Sequence, residues 1–431
     1  MKNVLVLDWS IKSTKISYFV FDKKTKGSFN FQEVFVSSNN SHSGKDSFFM
    51  SVLENNSLRN RALFLNAYFT GANYFKSKSY RIAAKVLVFG QIKFFKSKSK
   101  FRIFYSLFKP QKIIIYSALF CGCLKIPKFI ILGILKIFTN EVKYFLRYLN
   151  NCQIKYVIIR DNGRSNFYFL TYFLPKSIKI INVVYSWDNT CLKYFPTENI
   201  SHIATWNSNQ IKEIQRISNV SPTKMSVIGS RLSDSSYSKY YLTKTNRGKA
   251  TKKKLLVVGM FNQSLEVMEV LKIKKFIDEL SDPLYSKIFY RPHPSALKSK
   301  KLFERYQLEN LGVEMNSGDK IDFRDYTGII CFPTSMLLEI IISRVPTILY
   351  APRHNEYTTD PFTVYQMDHF KPIRESKPLI VCEEFNELKH FLISGIPNQN
   401  KLNEKFISQI FPRFESDYSS RIGKVISQTF K

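Results

Sequence analysis

From about residue 152 onward, short and largely apolar runs alternate with segments of helical periodicity. Runs at 155–159 and 178–185 are typical of buried strands, and shorter ones at 200–206 and 224–228 follow. The segment from about Ser208 to Ile217 has a helical period, and Ser208 is placed to cap it. This alternation predicts a parallel sheet with helices on both faces.

A second series of the same kind begins at Leu255. We expect strands at 255–258, 287–290, 328–331 and 347–350, and helices at about 265–280, 334–343, 386–392 and 402–430. Residues 234 to 254 are rich in Ser, Tyr, Lys and Thr and have no period, as expected of a linker. The predicted organisation is a first domain over 1–235, a linker over 236–254, a second domain over 255–400 and a C-terminal helix over 401–431.

The first 150 residues are dominated by charge. No Asp or Glu occurs between Glu54 and Glu141, a stretch with many Lys and Arg residues and interleaved aromatic ones. Apolar runs at 113–124 and 129–135 are shorter than the roughly 18 to 20 residues of a spanning helix, so we interpret them as a buried strand and helix or a shallowly inserted hairpin. Three interpretations of the 55–140 stretch stay open: an ordinary core with a basic rim, docking on an anionic membrane surface, or nucleic-acid binding.

Bulk composition narrows the class of protein. A chain of 431 residues favours two or three domains, and 44% hydrophobic content excludes wholesale disorder. The net charge of +32 points to an anionic partner, although a Lys-, Asn- and Ile-rich composition adds lysines without function. Six dispersed cysteines without a C-x-x-C pair, and an N-terminal apolar run too short for a signal peptide, favour a cytoplasmic protein with reduced thiols. A peripheral position on the inner face of the cell membrane stays open.

The strongest candidate for chemistry is the segment from Cys331 to Glu339, where a strand leads into a helix through Thr334 and Ser335. Free backbone N–H groups in the first turn of a helix attract phosphate, and the two hydroxyls add donors. Glu339 lies one turn beyond Ser335, where its carboxylate would accept hydrogen bonds from a ribose. The alternative is a capping pair followed by a surface glutamate.

A second candidate is the corner Arg291-Pro292-His293-Pro294. It follows a predicted strand, and ligands of open α/β sheets bind outside such carboxyl ends. The prolines on either side restrict the backbone around His293, and both Arg291 and His293 can donate to a diphosphate. The alternative is a structural turn.

The third candidate follows the strand at 178–185 and contains Trp187, Asp188 and Asn189. Asp188 would act as the base that deprotonates an acceptor hydroxyl, with Trp187 and Asn189 on the acceptor side. An Asx turn is the alternative.

Weaker candidates occupy other strand ends. They are Ser230 and Arg231 after Gly229, Gly259 and Asn262 in a single-glycine turn, Asp8 and Trp9 after the first strand, and Arg353 and His354 after the last strand of the second domain. No D-x-D motif is present, so we predict no metal, and no cofactor other than a nucleotide-activated donor as substrate.

At these positions the sequence resembles the GT-B glycosyltransferase superfamily, nearest to the CDP-glycerol glycerophosphotransferases and related surface-carbohydrate transferases. The Trp-His-Gly-x-Pro-Leu-Lys stretch of that group corresponds to 187–193, with Asp188 in place of the histidine, and its Arg-x-Asp motif corresponds to 229–234. Its His-Pro motif corresponds to His293-Pro294, and its Ser-Ser pair with a following acid corresponds to Thr334, Ser335 and Glu339.

The resemblance implies two Rossmann-like domains with parallel sheets facing across a cleft, and a C-terminal helix that crosses back to the first domain. It implies a nucleotide-sugar donor in the second domain, a glycan or lipid-linked acceptor in the first, a metal-independent transfer, and no nucleic acid. Alternatives are transfer of glycerol phosphate or another polyol phosphate, nucleic-acid binding through the 55–140 stretch, and an epimerase that acts on a free nucleotide sugar.

Overall fold

The computed structural model describes most of the chain and divides it into two units. The described residues are 2–8, 29–35, 56–76, 80–81, 84, 110–137, 140–161, 170–184, 187, 199–218, 220–230, 253–260, 263–293, 308–316, 321–354, 360–397 and 404–430. The first unit comprises Met1–Val88, Ser97–Asp234 and Gln409–Lys431, and the second comprises Phe89–Lys96 and Ser235–Ser408. The predicted linker lies almost entirely outside the described residues.

The first unit is built on a six-stranded parallel sheet in the order β2-β1-β3-β4-β5-β6. Its strands are β1 Lys2–Asp8, β2 Phe29–Phe35, β3 Tyr156–Asp161, β4 Lys179–Val184, β5 His202–Thr205 and β6 Met225–Val227. The chain order reverses between β1 and β3, which makes their carboxyl ends the switch point of this sheet.

The second unit has its own six-stranded parallel sheet in the order β12-β11-β10-β7-β8-β9. Its strands are β7 Lys254–Val258, β8 Lys287–Arg291, β9 Val313–Met315, β10 Gly328–Cys331, β11 Thr347–Tyr350 and β12 Ile380–Cys382. Counted from β7, this is the doubly wound order 3-2-1-4-5-6, with the switch point between β7 and β10. The prediction of an α/β protein with two parallel sheets is confirmed.

Within the described residues of the first unit, five helices precede its last strand: α1 Asn56–Ala72, α2 Pro110–Cys123, α3 Lys128–Ile137, α4 Asn140–Asn151 and α5 Ser208–Ser218. The apolar run at 113–124 is therefore a helix and not a strand. Glycines allow it to pack: a Cβ on Gly122 of α2 would lie 2.0 Å from the Tyr68 carbonyl oxygen of α1. The N-cap of α5 is Asn207 and not Ser208, since its Oδ1 accepts a hydrogen bond from the Gln210 N–H.

The described helices of the second unit are α6 Gln263–Asp278, α7 Leu337–Ser343, α8 Pro361–Tyr365, α9 Lys371–Ser376, α10 Phe385–Ser394 and α11 Glu404–Ile410. The last two residues of α11 are counted with the first unit. The central strands β7, β10 and β11 are almost fully buried, as expected when helices cover both faces of a sheet, whereas β8, β9 and β12 contain exposed or half-buried residues. Among the described helices, none combines the length and the apolar character needed to cross a membrane.

The predicted continuous helix over 401–431 is wrong, because the chain forms two helices there. After α11 the chain is irregular from Phe411 to Asp417, and α12 then runs from Tyr418 to Thr429. Pro412 disfavours a helical residue before it and lacks an N–H, which ends α11, and the Asp417 side chain accepts from the Ser420 N–H to start α12.

The C-terminal helix α12 completes the core of the first unit. Ile422, Ile426 and Phe430 are fully buried against strand residues that include Val4 and Ile158. Lys2 Nζ donates to the Phe430 carbonyl at 2.7 Å, so the two ends of the chain meet. This confirms the expectation that the last helix returns to the first unit.

Candidate functional site

The carboxyl edge of the second sheet brings together the two strongest sequence candidates. Val258 of β7 pairs with Arg291 of β8 on one side and with Cys331 of β10 on the other. Neighbouring strands lie about 4.8 Å apart, so the two flanking strands end at the same level about 10 Å from each other. Arg291 and His293 at one end, and Thr334 and Ser335 at the other, therefore border the switch point of this sheet.

Arg291 is held at this edge by its neighbours. Its Nη1 donates to Asn316 Oδ1 at 2.7 Å, and Asn316 Nδ2 donates to the Tyr326 hydroxyl at 2.7 Å. The Arg291 carbonyl accepts from the Gly259 N–H at 2.9 Å. The guanidinium is half-buried, as is His293 two residues later. This chain of contacts fixes the orientation of the Arg291 guanidinium at the carboxyl edge of the sheet.

The segment after β10 differs from its prediction in one respect. The helix begins at Leu337 and not at Thr334, with Met336 as its N-cap and no capping side chain. The carbonyls of Thr334 and Ser335 accept from the N–H groups of Leu337 and Leu338, which forms a turn ahead of the helix. Thr334 is half-buried and Ser335 exposed, so neither hydroxyl serves as the cap of a seven-residue helix. Glu339 lies in its first turn and is half-buried.

Gly259, at the end of β7, is required by the close approach of a carboxylate. A Cβ there would lie 2.1 Å from Glu266 Oε2 and 3.0 Å from the Tyr290 hydroxyl. Tyr290 donates to Glu266 Oε2 at 2.8 Å, and both side chains are fully buried. Burial, together with the Glu266 carboxylate, raises the pKa of Tyr290 well above its ordinary value, so the phenol remains a donor.

A second buried carboxylate, Glu269, lies one turn further along α6. It accepts from the Tyr350 hydroxyl at 2.6 Å and from Lys272 Nζ at 2.7 Å, and its Oε1 lies 3.2 Å from His354 Nε2. Burial alone would raise the pKa of Glu269, but the hydrogen bonds from His354, Lys272 and Tyr350 and the charge of Lys272 lower it to about 2. Glu269 is thus a charged group that ties α6 to the end of β11.

The two glutamates are the site residues that the sequence analysis missed. Positions 266, 269, 273 and 277 follow the helical period, and the last two hold buried isoleucines. A charged residue on the apolar face of a helix requires a buried partner, so this break in the pattern is the signal that points to them.

The candidates of the first unit have different surroundings. Asp8 ends β1 and lies opposite Arg160 of β3 in the strand register, at the switch point of the first sheet. Trp187 is buried, and its carbonyl accepts from Gln210 Nε2 at 3.1 Å, which anchors its loop to the start of α5. Ser230 is fully buried beside Gly229, which has a φ of +73°, and a Cβ there would lie 2.8 Å from Phe414 Cε2, so a larger residue would be strained.

Four predicted site residues lie outside the described residues: Asp188, Asn189, Arg231 and Asn262. Of the weaker candidates, Trp9 is also outside them, whereas Arg353 is exposed and binds Glu383 at 2.7 Å. Among the described residues, no group of three or more His, Cys, Asp or Glu side chains has the arrangement of a metal site. The absence of a metal from the reaction stays a prediction.

Two doubly wound units and a C-terminal helix that returns to the first define a protein of GT-B-like architecture. Comparison with solved structures gave the following matches, all with TM-scores below 0.5. S. aureus MnaA in complex with UDP has a TM-score of 0.48 at 11% identity, covering 100% of this chain and 97% of that one. The Methanocaldococcus jannaschii UDP-GlcNAc 2-epimerase, in complex with UDP-GlcNAc and UDP, has a TM-score of 0.43 at 11% identity over 67% of this chain and 80% of that one.

The wall teichoic acid polymerase TagF, soaked with CDPG, has a TM-score of 0.35 at 12% identity, covering 66% of this chain and 84% of that one. No protein-family model matches the sequence, and neither does the sequence of any curated protein. With TM-scores below 0.5, these likenesses do not assign an activity to the chain.

Proposed function

We propose that the chain is a glycosyltransferase that binds a nucleotide-activated sugar at the carboxyl edge of the second sheet. The supporting observation is the strand register around Val258. It brings the end of β8, at Arg291, and the end of β10, just before Thr334, to the same level beside the switch point. Nucleotides bind at this position in doubly wound sheets, because the loops there diverge and leave a crevice.

In the proposed reaction an acceptor hydroxyl attacks the anomeric carbon of the donor. The new carbon–oxygen bond forms as the bond to the nucleotide phosphate breaks, and Asp188 takes the hydroxyl proton. Negative charge grows on the departing phosphate, where Arg291 and His293 stabilise it. Thr334 and Ser335 bind phosphate oxygens, Glu339 accepts from the ribose, and no metal takes part.

The remaining site residues have supporting roles in this proposal. Gly259 and Asn262 of the second unit border the donor, and Asp8, Trp187 and Asn189 of the first unit border the acceptor. Ser230 is fully buried within the first unit, so we do not assign it a donor contact, and Arg231 beside it stays a prediction from the sequence. The acceptor is a hydroxyl of a surface polysaccharide or of a lipid-linked glycan. Transfer of a polyol phosphate from a CDP-activated donor is the second candidate, since His293-Pro294 resembles the His-Pro motif of that group.

Thermal unfolding with added nucleotides tests donor binding. UDP, CDP, GDP and CMP, and the corresponding sugars and CDP-glycerol, should separate into ligands that raise the melting temperature and ligands that do not, because a ligand bound only to the native state stabilises it. For a nucleotide at 100 times its dissociation constant the gain is about 2.7 kcal/mol. Whether a nucleotide sugar or CDP-glycerol raises the melting temperature then indicates which group is transferred.

Two variants make this test specific. Arg291→Gln and His293→Ala should abolish the nucleotide-dependent shift. Arg291→Gln also loses the hydrogen bond to Asn316, so each shift is measured against the melting temperature of the same variant without nucleotide. His390→Ala, at an exposed helical position remote from this edge in sequence, is the matched control and should keep the shift. A full shift in both Arg291→Gln and His293→Ala would refute the proposed donor site.

A further inference from the structure

An exposed apolar stripe follows one face of α2. Ile113, Phe120 and Leu124 are 48%, 64% and 59% exposed, and with the exposed Ser117 they follow each other at intervals of four, three and four residues. That spacing places them on one side of the helix. A globular helix normally turns such a stripe toward the core.

The next helix also exposes large apolar side chains. In α3, Phe129 is 74% exposed, Ile130 is 42% and Ile134 is 50%, and the space around Gly133 is open. The turn between the helices exposes Lys125. We call α2, α3 and this turn the 110–137 hairpin, and the side chains of Ile113, Phe120, Leu124, Phe129, Ile130 and Ile134 its apolar face.

The apolar face cannot turn inward, because the other side of the hairpin is already packed. Ile115, Ala118 and Leu119 of α2 are buried. The backbones of α1 and α2 meet closely at Gly71 and Gly122, and the Tyr68 hydroxyl donates to the Ile126 carbonyl at 2.5 Å. The outward orientation of the six side chains is therefore fixed by the fold of the first unit.

The charge of the surrounding sequence indicates which partner the apolar face can bind. Between Glu54 and Glu141 the chain has sixteen Lys and Arg residues and no Asp or Glu. A symmetric dimer through this face would bring two such stretches together, with no carboxylate in either to offset the repulsion. Nucleic acid would satisfy the cations but offers no apolar phase for isoleucine and leucine side chains. An anionic bilayer offers both.

We propose that the 110–137 hairpin docks the protein on an anionic lipid bilayer, with the apolar face inserted at the level of the headgroups. Lys125, exposed in the turn between the two helices, contacts the lipid headgroups. This docking is independent of the proposed transferase activity, since it involves none of the residues assigned to the donor. A lipid-linked acceptor would meet the protein at this surface.

Sedimentation with vesicles tests the proposal on the full-length protein. Vesicles of phosphatidylcholine with phosphatidylglycerol should bind it, and vesicles of phosphatidylcholine alone should bind it far more weakly. Phe120→Asn with Phe129→Asn should lower the partition coefficient about tenfold or more, because each partly inserted phenylalanine loses its transfer free energy. Lys125→Gln should lower it about fivefold at low salt.

Matched controls come from the second unit. Ile393→Asn replaces an exposed apolar side chain, 60% exposed, and Lys275→Gln replaces an exposed lysine, and neither should change the partition coefficient. Equal binding of the Phe120/Phe129 variant and the wild type to anionic vesicles would overturn the proposal. The proposal would also be overturned if the Phe120/Phe129 variant bound vesicles like the wild type but no longer formed a dimer. The same holds if it bound vesicles like the wild type but lost affinity for duplex or single-stranded nucleic acid. Melting temperatures equal to wild type show that the variants are folded.

Discussion

At the scale of single residues, the contact between α6 and the second sheet contains two buried carboxylates. Glu266 and Glu269 lie on the buried face of α6, and each accepts a hydrogen bond from a tyrosine on a neighbouring strand. Removing a charged group from water is costly unless it is paired, so these contacts are a condition of the fold. They also hold the beginning of α6 next to the edge where Arg291 lies.

Glu269 makes stability depend on pH in a defined direction. Its pKa falls from 4.5 to about 2 on folding, so its contribution is complete above about pH 4.5 and is lost as the pH falls toward 2. Glu269→Gln should lower the free energy of unfolding at pH 7 by roughly 3 kcal/mol. The difference from wild type should shrink below pH 4.5, because the glutamine does not titrate.

Chemical unfolding at a series of pH values measures this difference. Glu375→Gln is the control, since that glutamate is 65% exposed beside Lys371 and its replacement should change stability by less than about 1 kcal/mol. A difference between Glu269→Gln and wild type that stays constant from pH 7 to pH 3 would show that the Glu269 network does not couple folding to proton binding.

At the scale of elements, the contact between α1 and α2 depends on the absence of side chains at two glycines. A Cβ on Gly122 would lie 2.0 Å from the Tyr68 carbonyl oxygen and 2.7 Å from the Ala72 nitrogen, both of them backbone atoms. Backbone cannot move aside as a flexible side chain does, so the helices would have to separate. The sequence shows Gly71 and Gly122 but not that both lie where α1 contacts α2.

Gly122→Ala should therefore destabilise the first unit by about 1 to 3 kcal/mol. Gly133→Ala is the matched control, because that glycine is also helical and nothing lies within 4 Å of a Cβ placed there. Alanine is the better helix former, so Gly133→Ala should be neutral or stabilising by about 0.5 to 1 kcal/mol. Thermal unfolding of the two variants compares them, and equal effects would contradict the close packing of α1 on α2.

At the scale of the whole molecule, the chain closes its first unit with its last helix. The Lys2 ammonium binds the Phe430 carbonyl, and Phe430 packs on Phe29 with ring centroids 6.0 Å apart. Arg421 of α12 donates to the Ile228 carbonyl at 2.7 Å and lies over the Phe414 ring. The first unit is thus incomplete until the end of the chain is present.

Deletion of residues 417–431 tests this dependence. It should remove hydrogen-exchange protection from β1 and β3 to β5, where α12 covers the sheet, and leave β7, β8 and β10 protected, because all described members of the core cluster that contains α12 belong to the first unit. Gln428→Ala, at an exposed position of α12, should leave both sheets protected. Unchanged protection of the first sheet in the deletion variant would contradict the role assigned to the helix.

Most strands of both sheets could be predicted from the sequence, whereas β2, β9, β12 and several helices, α1 and α4 among them, were not predicted. The apolar runs at 255–258 and 328–331 gave the positions of β7 and β10 to within a residue, because strands covered on both faces must be apolar throughout. The prediction failed for α2, an apolar helix of strand-like composition, and for the break at Pro412. In the first case the packing partner, α1, decided the conformation.

For the candidate site, the sequence by itself determined which side chains follow strands and therefore share an edge, because parallel strands all end on the same side. The tertiary structure alone decided that β7 lies between β8 and β10, which brings Arg291 and the Thr334 turn to one level. It also decided that Gly259 accommodates Glu266 and that six apolar side chains of the 110–137 hairpin remain exposed. The physical reason is that periodicity along a chain records which face of an element is apolar, whereas strand order and the partner of each face depend on contacts between distant segments.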